Sequence, residues 1–384
     1  MKAIPYGKQS ITEEDIASVV SVLKDDYLTQ GPKVKEFEKK FAAYIGSDYA
    51  VAVSNGTAAL HLSALALGVT KGSKVITSPI TFAASANCIH YCGGEIEFCD
   101  IDPNTLCLDI RKVREKLAAV PKGTYQGILP VDFAGYAVDM EAFRELADEY
   151  DLWILEDSCH APGGYFNAQN GSQQNCGNGM FADASIFSFH PVKHIACGEG
   201  GMITTNDINI YKKLLLLRSH GITKDPQTLI NKEGGWYYEM QELGYNYRMS
   251  DILCALGISQ LSRAKYNLKK RKQIASRYIK AFMGMGIISQ SVINNEGHAF
   301  HLFVVLVNNR LGLYNYLKEN NIHAQIHYIP VYKFPFYTKM YKEQFFHNAE
   351  EYYKKCISLP LYPSLTIEDQ EKVISIVKEF YSLK

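Results

Sequence analysis

The chain has 384 residues, of which 47% are hydrophobic, and its 40 basic residues balance its 40 acidic ones. Without a net charge, the chain has no excess of basic residues to neutralise a nucleic-acid backbone or an anionic membrane, so neither partner is expected. The N-terminus has no apolar segment typical of an export signal, and no run of about 18 apolar residues occurs, which predicts a soluble cytoplasmic protein.

Short apolar runs alternate with longer amphipathic ones over the first two thirds of the chain. Ser10 and Glu13 resemble a capping box that opens a helix through about Lys24, and a second helix is predicted to end at Gly46. The predicted strands that follow are YAVAVS, KVITSPI, GILPVDF, LWILEDS, ASIFSF and GMITTN. Continuous apolar strands separated by helices indicate an α/β fold with a mainly parallel sheet buried on both faces.

The pattern changes after about residue 262. A charged helix, RAKYNLKKRKQIASRYIKAF, precedes two predicted strands, FHLFVVLVNN and HAQIHYIPV, and TIEDQEKVISIVKEFYSLK predicts a closing helix. We therefore expect two domains: an N-terminal arm with a large domain over residues 1–262, and a smaller α+β domain over residues 263–384.

The nine cysteines favour reduced thiols. Their number is odd, most lie in apolar runs, and no C-x-x-C pair occurs, so neither a disulfide framework nor a zinc site is predicted. Two neighbouring pairs, His90 with Cys92 and Cys159 with His160, also lack the usual spacing of metal ligands.

Lys193 lies between the predicted strand IFSF and the glycine-rich stretch GEGG. Both neighbours are expected to remove its side chain from bulk water. Desolvation lowers the pKa of a lysine and exposes the neutral amine, which can form a Schiff base with an aldehyde or ketone. Most lysines are solvated surface charges, so the position of Lys193 alone does not show that its amine is reactive.

Asp157 ends the run LWILEDS, where a carboxylate is either the N-cap of a helix or a ligand group. Lys193 favours the ligand interpretation, because pyridoxal phosphate needs a lysine for its aldehyde and an acid that keeps its pyridine nitrogen protonated. His160 could bond that acid, lie against the cofactor ring, or be purely structural. Phe82 could stack on the ring or belong to the core.

A phosphate group would need its own binding site. The segment SNGTAAL lies between a strand and a helix, so Gly56 and Thr57 would present N–H groups and a hydroxyl at a helix N-terminus, although such residues are also common as simple caps. Ser188 is a second candidate. Asn246 and Arg248, in LGYNYRMS, could reach a phosphate in the same subunit or a neighbouring one.

Taken together, the segments SNGTAAL, SPITFAASAN, EDSCHA, FSFHPVKHIACGEGG and LGYNYRMSDI resemble the DegT-type pyridoxal-phosphate sugar-nucleotide aminotransferases. Their order and spacing match from LTQGPKVKEFE to ISLPLYPSLT, which is nearly the whole chain. The resemblance implies a fold-type I transferase with a mixed, mainly parallel sheet between helices. It also implies a homodimer with shared active sites, and L-glutamate and a UDP-4-keto sugar as substrates.

The resemblance further implies roles for individual residues. Lys193 would form the Schiff base, Asp157 would pair with the pyridine nitrogen and Phe82 would stack on the ring. Gly56, Thr57, Ser188 and the partner subunit's Asn246 would hold phosphate or substrate. The segments IPYGKQSITEEDI, RSHGI and HYIPVY look most like the branch that aminates a 4-keto sugar on the way to pseudaminic acid. The implied sugar-nucleotide site consists of Tyr6, Asp26, Tyr27, Leu28, Thr29, His190, Arg248, His327, Tyr328, Ile329 and Pro330.

Other functions remain open at this level. A related sugar 3-dehydratase would carry histidine in place of Lys193, and a non-catalytic regulator would show no reaction with glutamate. A nicotinamide-dependent dehydrogenase would need G-x-G-x-x-G between a strand and a helix, which is absent. Amination of a D-gluco-configured UDP- or dTDP-4-keto-6-deoxy sugar is the main alternative. Ala196, Cys197, Ser158 and Cys159 depart from the family pattern and make the exact sugar less certain than the reaction.

Overall fold

A computed structural model describes residues 3–231, 233–290, 296–342 and 344–382. Its strands are β1 (Tyr49–Val53), β2 (Lys74–Thr77), β3 (Glu95–Phe98), β4 (Gly127–Leu129), β5 (Trp153–Asp157), β6 (Tyr165–Asn167), β7 (Gln173–Asn175), β8 (Ala184–Ser188), β9 (Gly201–Thr205), β10 (Ile222–Thr223), β11 (Glu239–Met240), β12 (Ile288–Ser289), β13 (Phe303–Leu306) and β14 (Cys356–Leu359). Its helices are α1 (Glu13–Leu23), α2 (Pro32–Ile45), α3 (Gly56–Ala66), α4 (Ala83–Tyr91), α5 (Ile110–Ala118), α6 (Met140–Glu149), α7 (Ile208–Arg218), α8 (Asp251–Ser262), α9 (Ala264–Phe282), α10 (Arg310–Glu319), α11 (Pro335–Met340), α12 (His347–Lys355) and α13 (Ile367–Ser382).

Seven strands form the central sheet in the order β1-β9-β8-β5-β4-β2-β3. Only β9 runs against its neighbours, so six of the seven strands point the same way. This confirms the predicted mixed, mainly parallel sheet. The carboxyl ends of the six parallel strands share one edge, which is where ligands bind in such sheets.

Both faces of the central sheet are covered, because successive residues of one strand pack into different cores. Ile76, Ile128 and Ile154 face the core beneath α5 and α6. The residues next to them, Val75, Leu129 and Leu155, face the core beneath α3, α4 and α7. Burial on both sides accounts for the continuous apolar runs of these strands.

A second sheet, β12-β13-β14, packs with α9, α10 and α13 around a separate core. The predicted boundary at residue 262 falls between α8 and α9, and the division into two domains stays a prediction. Within the ranges that the structure covers, no helix is long and apolar enough to cross a membrane.

Two local predictions were wrong. The first helix is capped by Thr12 with Asp15, rather than by Ser10 with Glu13. The carbonyl of an N-cap residue accepts the first hydrogen bond of its helix, whereas the Ser10 carbonyl accepts from the Gln260 side chain instead (2.9 Å). The segment HAQIHYIPV forms a single bridge, Gln325 to Ser358, rather than a strand. The His327 carbonyl in that segment accepts its hydrogen bond from the Tyr352 hydroxyl instead of from a neighbouring strand.

Two further predictions were correct. The second helix ends at Gly46, which adopts a left-handed conformation with φ of 91°. All nine cysteines are free, and seven of them are buried.

Candidate active site

A cavity of about 700 Å³ opens at the carboxyl edge of the central sheet. Asp157 is the last residue of β5 and Ser188 the last residue of β8, while Asn55 and Gly56 follow β1. The sheet therefore brings together polar residues that are far apart in the sequence. The predicted site residues that line this cavity are Tyr6, Gly56, Thr57, Phe82, Asp157, His160, Ser188, His190, Lys193, His327 and Tyr328.

Lys193 lies on the loop between the antiparallel strands β8 and β9. Backbone hydrogen bonds fix this loop: Lys193 N–H donates to the His190 carbonyl (2.8 Å), and Phe189 N–H donates to the Gly200 carbonyl (2.8 Å). Gly201 lets the loop pack against the start of α3, because a Cβ there would lie 2.5 Å from the Asn55 carbonyl oxygen. The glycine that begins β9 is thus required by close packing.

Desolvation lowers the pKa of the Lys193 amine, and the positive charge of Arg271 lowers it further. Cys159 and Asp157 act in the opposite direction. Because desolvation is the largest effect, a greater share of the amine is neutral than for a lysine in water. A neutral amine that faces a cavity can attack a carbonyl carbon and can accept a proton.

The Asp157 carboxylate is buried and held in place by two donors. The Ser85 hydroxyl donates to Oδ2 (2.7 Å), and the backbone N–H of Cys159 donates to Oδ1 (3.1 Å). No helix begins directly after Asp157, because the next element of the chain is the strand β6. Of the two interpretations of this residue, the structure therefore favours the ligand group over the helix N-cap.

His160 lines the cavity as a neutral ring. Its Nδ1 accepts a hydrogen bond from the Ala134 N–H (3.2 Å), so the remaining proton is on Nε2, which faces the Tyr328 hydroxyl at 3.3 Å. Burial, and to a smaller extent the charge of Lys193, lowers the pKa of His160 well below its ordinary value. The ring can therefore donate a hydrogen bond at Nε2 without carrying charge.

The N-terminus of α3 faces the same cavity. Asn55 caps the helix by accepting from the Ala58 N–H (2.8 Å), and the next residues, Gly56 and Thr57, line the cavity wall. A Cβ on Gly56 would lie 2.9 Å from the Ser188 Cβ. Helix N-terminal N–H groups beside a serine hydroxyl are suited to bind an anion such as a phosphate group.

Several predicted residues lie outside this cavity. Asp26, Tyr27, Leu28 and Thr29 are exposed, as are Asn246 and Ile329, whereas Pro330 is buried. Arg248 lines a second cavity of about 870 Å³. Within one copy of the chain, these residues do not line the cavity that contains Lys193.

The cavity also contains residues that the sequence analysis did not single out for the site. Ser85, Tyr91, Glu199, Tyr247 and His301 all line it. Glu199, in GEGG, could have been predicted, because it follows Lys193 closely in the sequence. His301 follows an unremarkable apolar segment, and nothing in its sequence context predicts its place.

A buried carboxyl pair, Asp132 and Glu156, lies behind the site together with Cys176. Glu156 accepts from the Ser185 hydroxyl (2.8 Å) and the Gly177 N–H (3.0 Å), while Asp132 Oδ2 has no hydrogen-bond partner among the described residues. Burial and the neighbouring Glu156 raise the pKa of Asp132 well above its ordinary value. Burial of this pair therefore favours the protonated form of Asp132 over the charged one.

Replacing Asp132 with asparagine is expected to make the protein more stable at alkaline pH. Above about pH 4 the unfolded chain loses a proton that folded Asp132 retains, so the free energy of unfolding falls as pH rises. The amide of the variant would not titrate, so its free energy of unfolding should fall less as pH rises. Urea unfolding from about pH 4 to about pH 9 measures this difference in slope. Asp151→Asn, at an exposed position, is the control, and an unchanged pH slope in Asp132→Asn would contradict the assignment.

Comparison with known proteins places these features in one family. The model of the DegT/DnrJ/EryC1/StrS aminotransferase family matches residues 9–378. The chain belongs to this family. It is an aminotransferase of fold type I, and the predicted resemblance is confirmed.

Two curated relatives resemble the chain over nearly its full length. The spore coat polysaccharide biosynthesis protein SpsC of Bacillus subtilis is 40% identical, covering 98% of this chain and 96% of that protein. The UDP-4-amino-4,6-dideoxy-N-acetyl-β-L-altrosamine transaminase of Campylobacter jejuni is 38% identical, covering 96% of this chain and 95% of that protein.

Two solved structures also resemble this chain. Helicobacter pylori PseC, an aminotransferase involved in the biosynthesis of pseudaminic acid, has a TM-score of 0.89 and 28% identity, with both chains covered completely. NtdA from Bacillus subtilis, with bound cofactor PMP, has a TM-score of 0.84 and 28% identity, covering 97% of this chain and 83% of that one. PMP is the aminated form of pyridoxal phosphate, and pyridoxal phosphate is the cofactor of this aminotransferase.

Proposed function

We propose that the protein transfers the amino group of L-glutamate to the C4 ketone of UDP-2-acetamido-2,6-dideoxy-β-L-arabino-hex-4-ulose, giving the 4-amino sugar nucleotide of pseudaminic acid biosynthesis. The observation that carries this proposal is one cavity that holds an amine, a strand-end carboxylate and a helix N-terminus. The full-length similarity to the altrosamine transaminase supports the choice of sugar.

The cavity residues fit pyridoxal phosphate. Lys193 would hold its aldehyde, Asp157 its pyridine nitrogen, and Gly56, Thr57 and Ser188 its phosphate. Phe82 is 63% exposed, although it lines the cavity, so it can cover a planar ring. When bound, the cofactor withdraws electrons from the carbon that loses its proton.

The chain's own residues would then carry out binding and proton transfer. Lys193 Nζ, when not bound to the cofactor, would accept the proton of the donor's α-carbon. In the second half of the reaction the same Nζ would deliver a proton to the C4 carbon of the sugar. The Asp157 carboxylate, fixed by Ser85 and the Cys159 N–H, would keep the pyridine nitrogen of the cofactor protonated.

An assay with purified protein tests the substrate. L-Glutamate is supplied with a panel of UDP- and dTDP-4-keto-6-deoxy sugars, and each product is identified by NMR. We expect amination of the L-arabino-configured UDP sugar, with the highest kcat/KM of the panel. Preference for a D-gluco-configured sugar would replace the proposed substrate and keep the reaction, whereas no amination of any sugar would overturn both.

The phosphate site gives a second prediction. Gly56→Ala adds a Cβ that collides with Ser188, so the binding of pyridoxal phosphate to the cofactor-free protein is expected to weaken by roughly tenfold or more. The affinity for pyridoxal, which lacks the phosphate, should change little. Gly235→Ala is the control, because a Cβ there meets no atom within 4 Å. Equal losses for both ligands would contradict the phosphate assignment.

We further propose a homodimer with shared active sites. Tyr27 is 58% exposed and Leu28 49% exposed, and Asn246 is exposed as well, so all three are free to reach the cavity of a second copy. In this arrangement, Asn246 and Arg248 of the partner subunit complete the site next to Lys193.

Mixing two inactive variants tests the shared site. We combine Lys193→Ala with the double variant Asn246→Ala/Arg248→Ala. After random exchange, half of the dimers are mixed and each has one intact site, so about a quarter of the wild-type activity should return. A mixture of the two variants that stays inactive, although subunits exchange, would contradict shared sites.

A further inference from the structure

His301 lies in the wall of the cavity between the loop of Lys193 and the end of β5. The centre of its ring is 5.6 Å from that of His194, which follows Lys193 in the chain. It is 4.3 Å from the ring centre of His160, three residues after Asp157. His301 is only 4% exposed, and it lines the cavity. A ligand that reaches both Lys193 and Asp157 would therefore lie next to this ring.

The backbone around His301 is held from several sides. Phe300 has a φ of 47°, a left-handed conformation that is uncommon for a phenylalanine. Nη1 of the buried Arg271 donates to the carbonyls of Phe300 (3.3 Å) and His301 (3.2 Å). Two neighbouring N–H groups donate to carbonyls of another loop: Ala299 to Gly135 (2.7 Å) and Leu302 to Ala134 (3.1 Å). These bonds fix the position of the imidazole before a ligand binds.

Neither nitrogen of the His301 ring bonds to a residue that the structure describes, and Nδ1 is fully enclosed. The other buried histidines of this region each have a partner: His160 with the Ala134 N–H (3.2 Å), His194 with the Ala299 carbonyl (2.9 Å), His298 with the Phe300 N–H (2.8 Å) and His327 with the Ser358 hydroxyl (2.9 Å). Buried polar groups are nearly always hydrogen-bonded, so an unpartnered imidazole on a cavity wall indicates that a ligand supplies the partner.

The proton of the His301 ring is expected on Nε2. Burial lowers the pKa of His301 well below its ordinary value, so the ring is neutral and has a single N–H. A proton on Nδ1 would be an enclosed donor without an acceptor, and such groups are rare because they lose their hydration without compensation. A proton on Nε2 can instead bond to a ligand in the cavity.

The charges of the cavity indicate which ligand group needs this donor. Its carboxylates and its amine are Asp157, Glu199 and Lys193, and no arginine in the described ranges lines it. Lys193 must be neutral to react, so it cannot serve as a lasting partner for an anion. The α-carboxylate of an amino donor therefore finds no cation in one copy of the chain and depends on neutral donors.

We propose that His301 is a substrate-binding residue, whose Nε2–H donates a hydrogen bond to the α-carboxylate of the amino donor. This inference deepens the proposed function and rests on its use of L-glutamate. The α-carboxylate is attached to the carbon that gives its proton to Lys193. It therefore belongs in the part of the cavity that Lys193 and His301 share.

Three variants of His301 test the hydrogen bond. His301→Gln places an amide N–H near the position of Nε2, His301→Asn places it near Nδ1, and His301→Phe keeps a ring without a donor. The rate of the half-reaction is measured in single turnovers over a range of L-glutamate concentrations. We expect the concentration at half-maximal rate to rise roughly tenfold or more in His301→Asn and His301→Phe, and by less than about threefold in His301→Gln.

The other ligands of the cavity show whether this loss is specific. The affinity of the cofactor-free variants for pyridoxal phosphate and the KM for the sugar should change little. His323→Gln, at an exposed position, is the control and should match the wild type. Equal losses for all three ligands would overturn the proposal. So would His301→Asn and His301→Phe proteins that keep their affinity for glutamate while Arg248→Ala loses it, because the partner subunit's Arg248 would then bind the carboxylate.

The wild type decides if His301→Asn and His301→Phe do not fold. Nitrogen NMR of the cofactor-free protein, labelled selectively at histidine, shows which ring nitrogen of His301 carries the proton, and His301→Gln identifies the signals by their loss. A proton on Nδ1 would overturn the proposal. A wild type that does not react with L-glutamate would overturn the proposed donor, whereas a reactive wild type with unaffected His301 variants would overturn this inference alone.

Discussion

Replacing Lys193 with arginine is expected to abolish amino transfer, with kcat lower by about a thousandfold or more. Arginine keeps the positive charge and a similar length, but its guanidinium does not deprotonate in proteins. The variant would therefore lose both the nucleophile for the cofactor and the base for the donor's proton. The lowered pKa of Lys193 indicates that a greater share of its amine is neutral than for a lysine in water.

Two measurements check this prediction. The absorbance of the cofactor during a single turnover with L-glutamate reports the first half of the reaction, and borohydride reduction followed by peptide mass spectrometry shows where the cofactor is bound. Lys280→Arg, at an exposed position on α9, makes the same chemical change away from the site and should be fully active. A Lys193→Ala protein that binds no cofactor covalently and still aminates the sugar would disprove the assigned role.

Asp157→Asn is expected to lower kcat by roughly 100-fold to 1,000-fold, because a neutral amide cannot keep the pyridine nitrogen protonated. The substitution preserves size, and the amide oxygen can still accept from one of the two donors that hold the native carboxylate. Cofactor binding should thus survive while proton removal from the donor becomes slow.

The rate of the half-reaction with L-glutamate, measured at saturating donor, distinguishes these effects. Ser85→Ala removes one of the two hydrogen bonds to Asp157 and leaves its charge, so its loss should be much smaller, about tenfold or less. If Asp157→Asn and Ser85→Ala were equally impaired, Asp157 would be acting through its geometry rather than its charge.

Much of the candidate site could be predicted from sequence because a parallel sheet gathers strand ends. Asp157, Ser188 and Gly56 each lie at or just after the end of an apolar strand, so their convergence follows from the fold class alone. Lys193 could be added because pyridoxal phosphate needs a lysine for its aldehyde as well as an acid, such as Asp157, at its pyridine nitrogen. For these residues, the apolar strand pattern in the sequence predicts the position in the fold, because the sheet places the strand ends together.

The remaining site residues have no such link to local pattern. His301 reaches the cavity through a left-handed turn held by Arg271 from another helix, and no local pattern records that contact. The prediction of a strand at HAQIHYIPV was wrong for a similar reason, since hydrogen bonds with Tyr352 and Ser358 outweigh its alternating apolar pattern. Long-range side-chain contacts decide both positions.

Gly201 has a consequence beyond close packing. It pairs with Ser188 on β8 and with Val53 on β1, and it lies against the backbone at the start of α3. Gly201 thus joins three strands at the point where the Lys193 loop and the N-terminus of α3 begin. A slip of one position would move the amine relative to the anion site by about 3.3 Å. The register of these strands therefore fixes the distance between the amine and the anion site before any ligand binds.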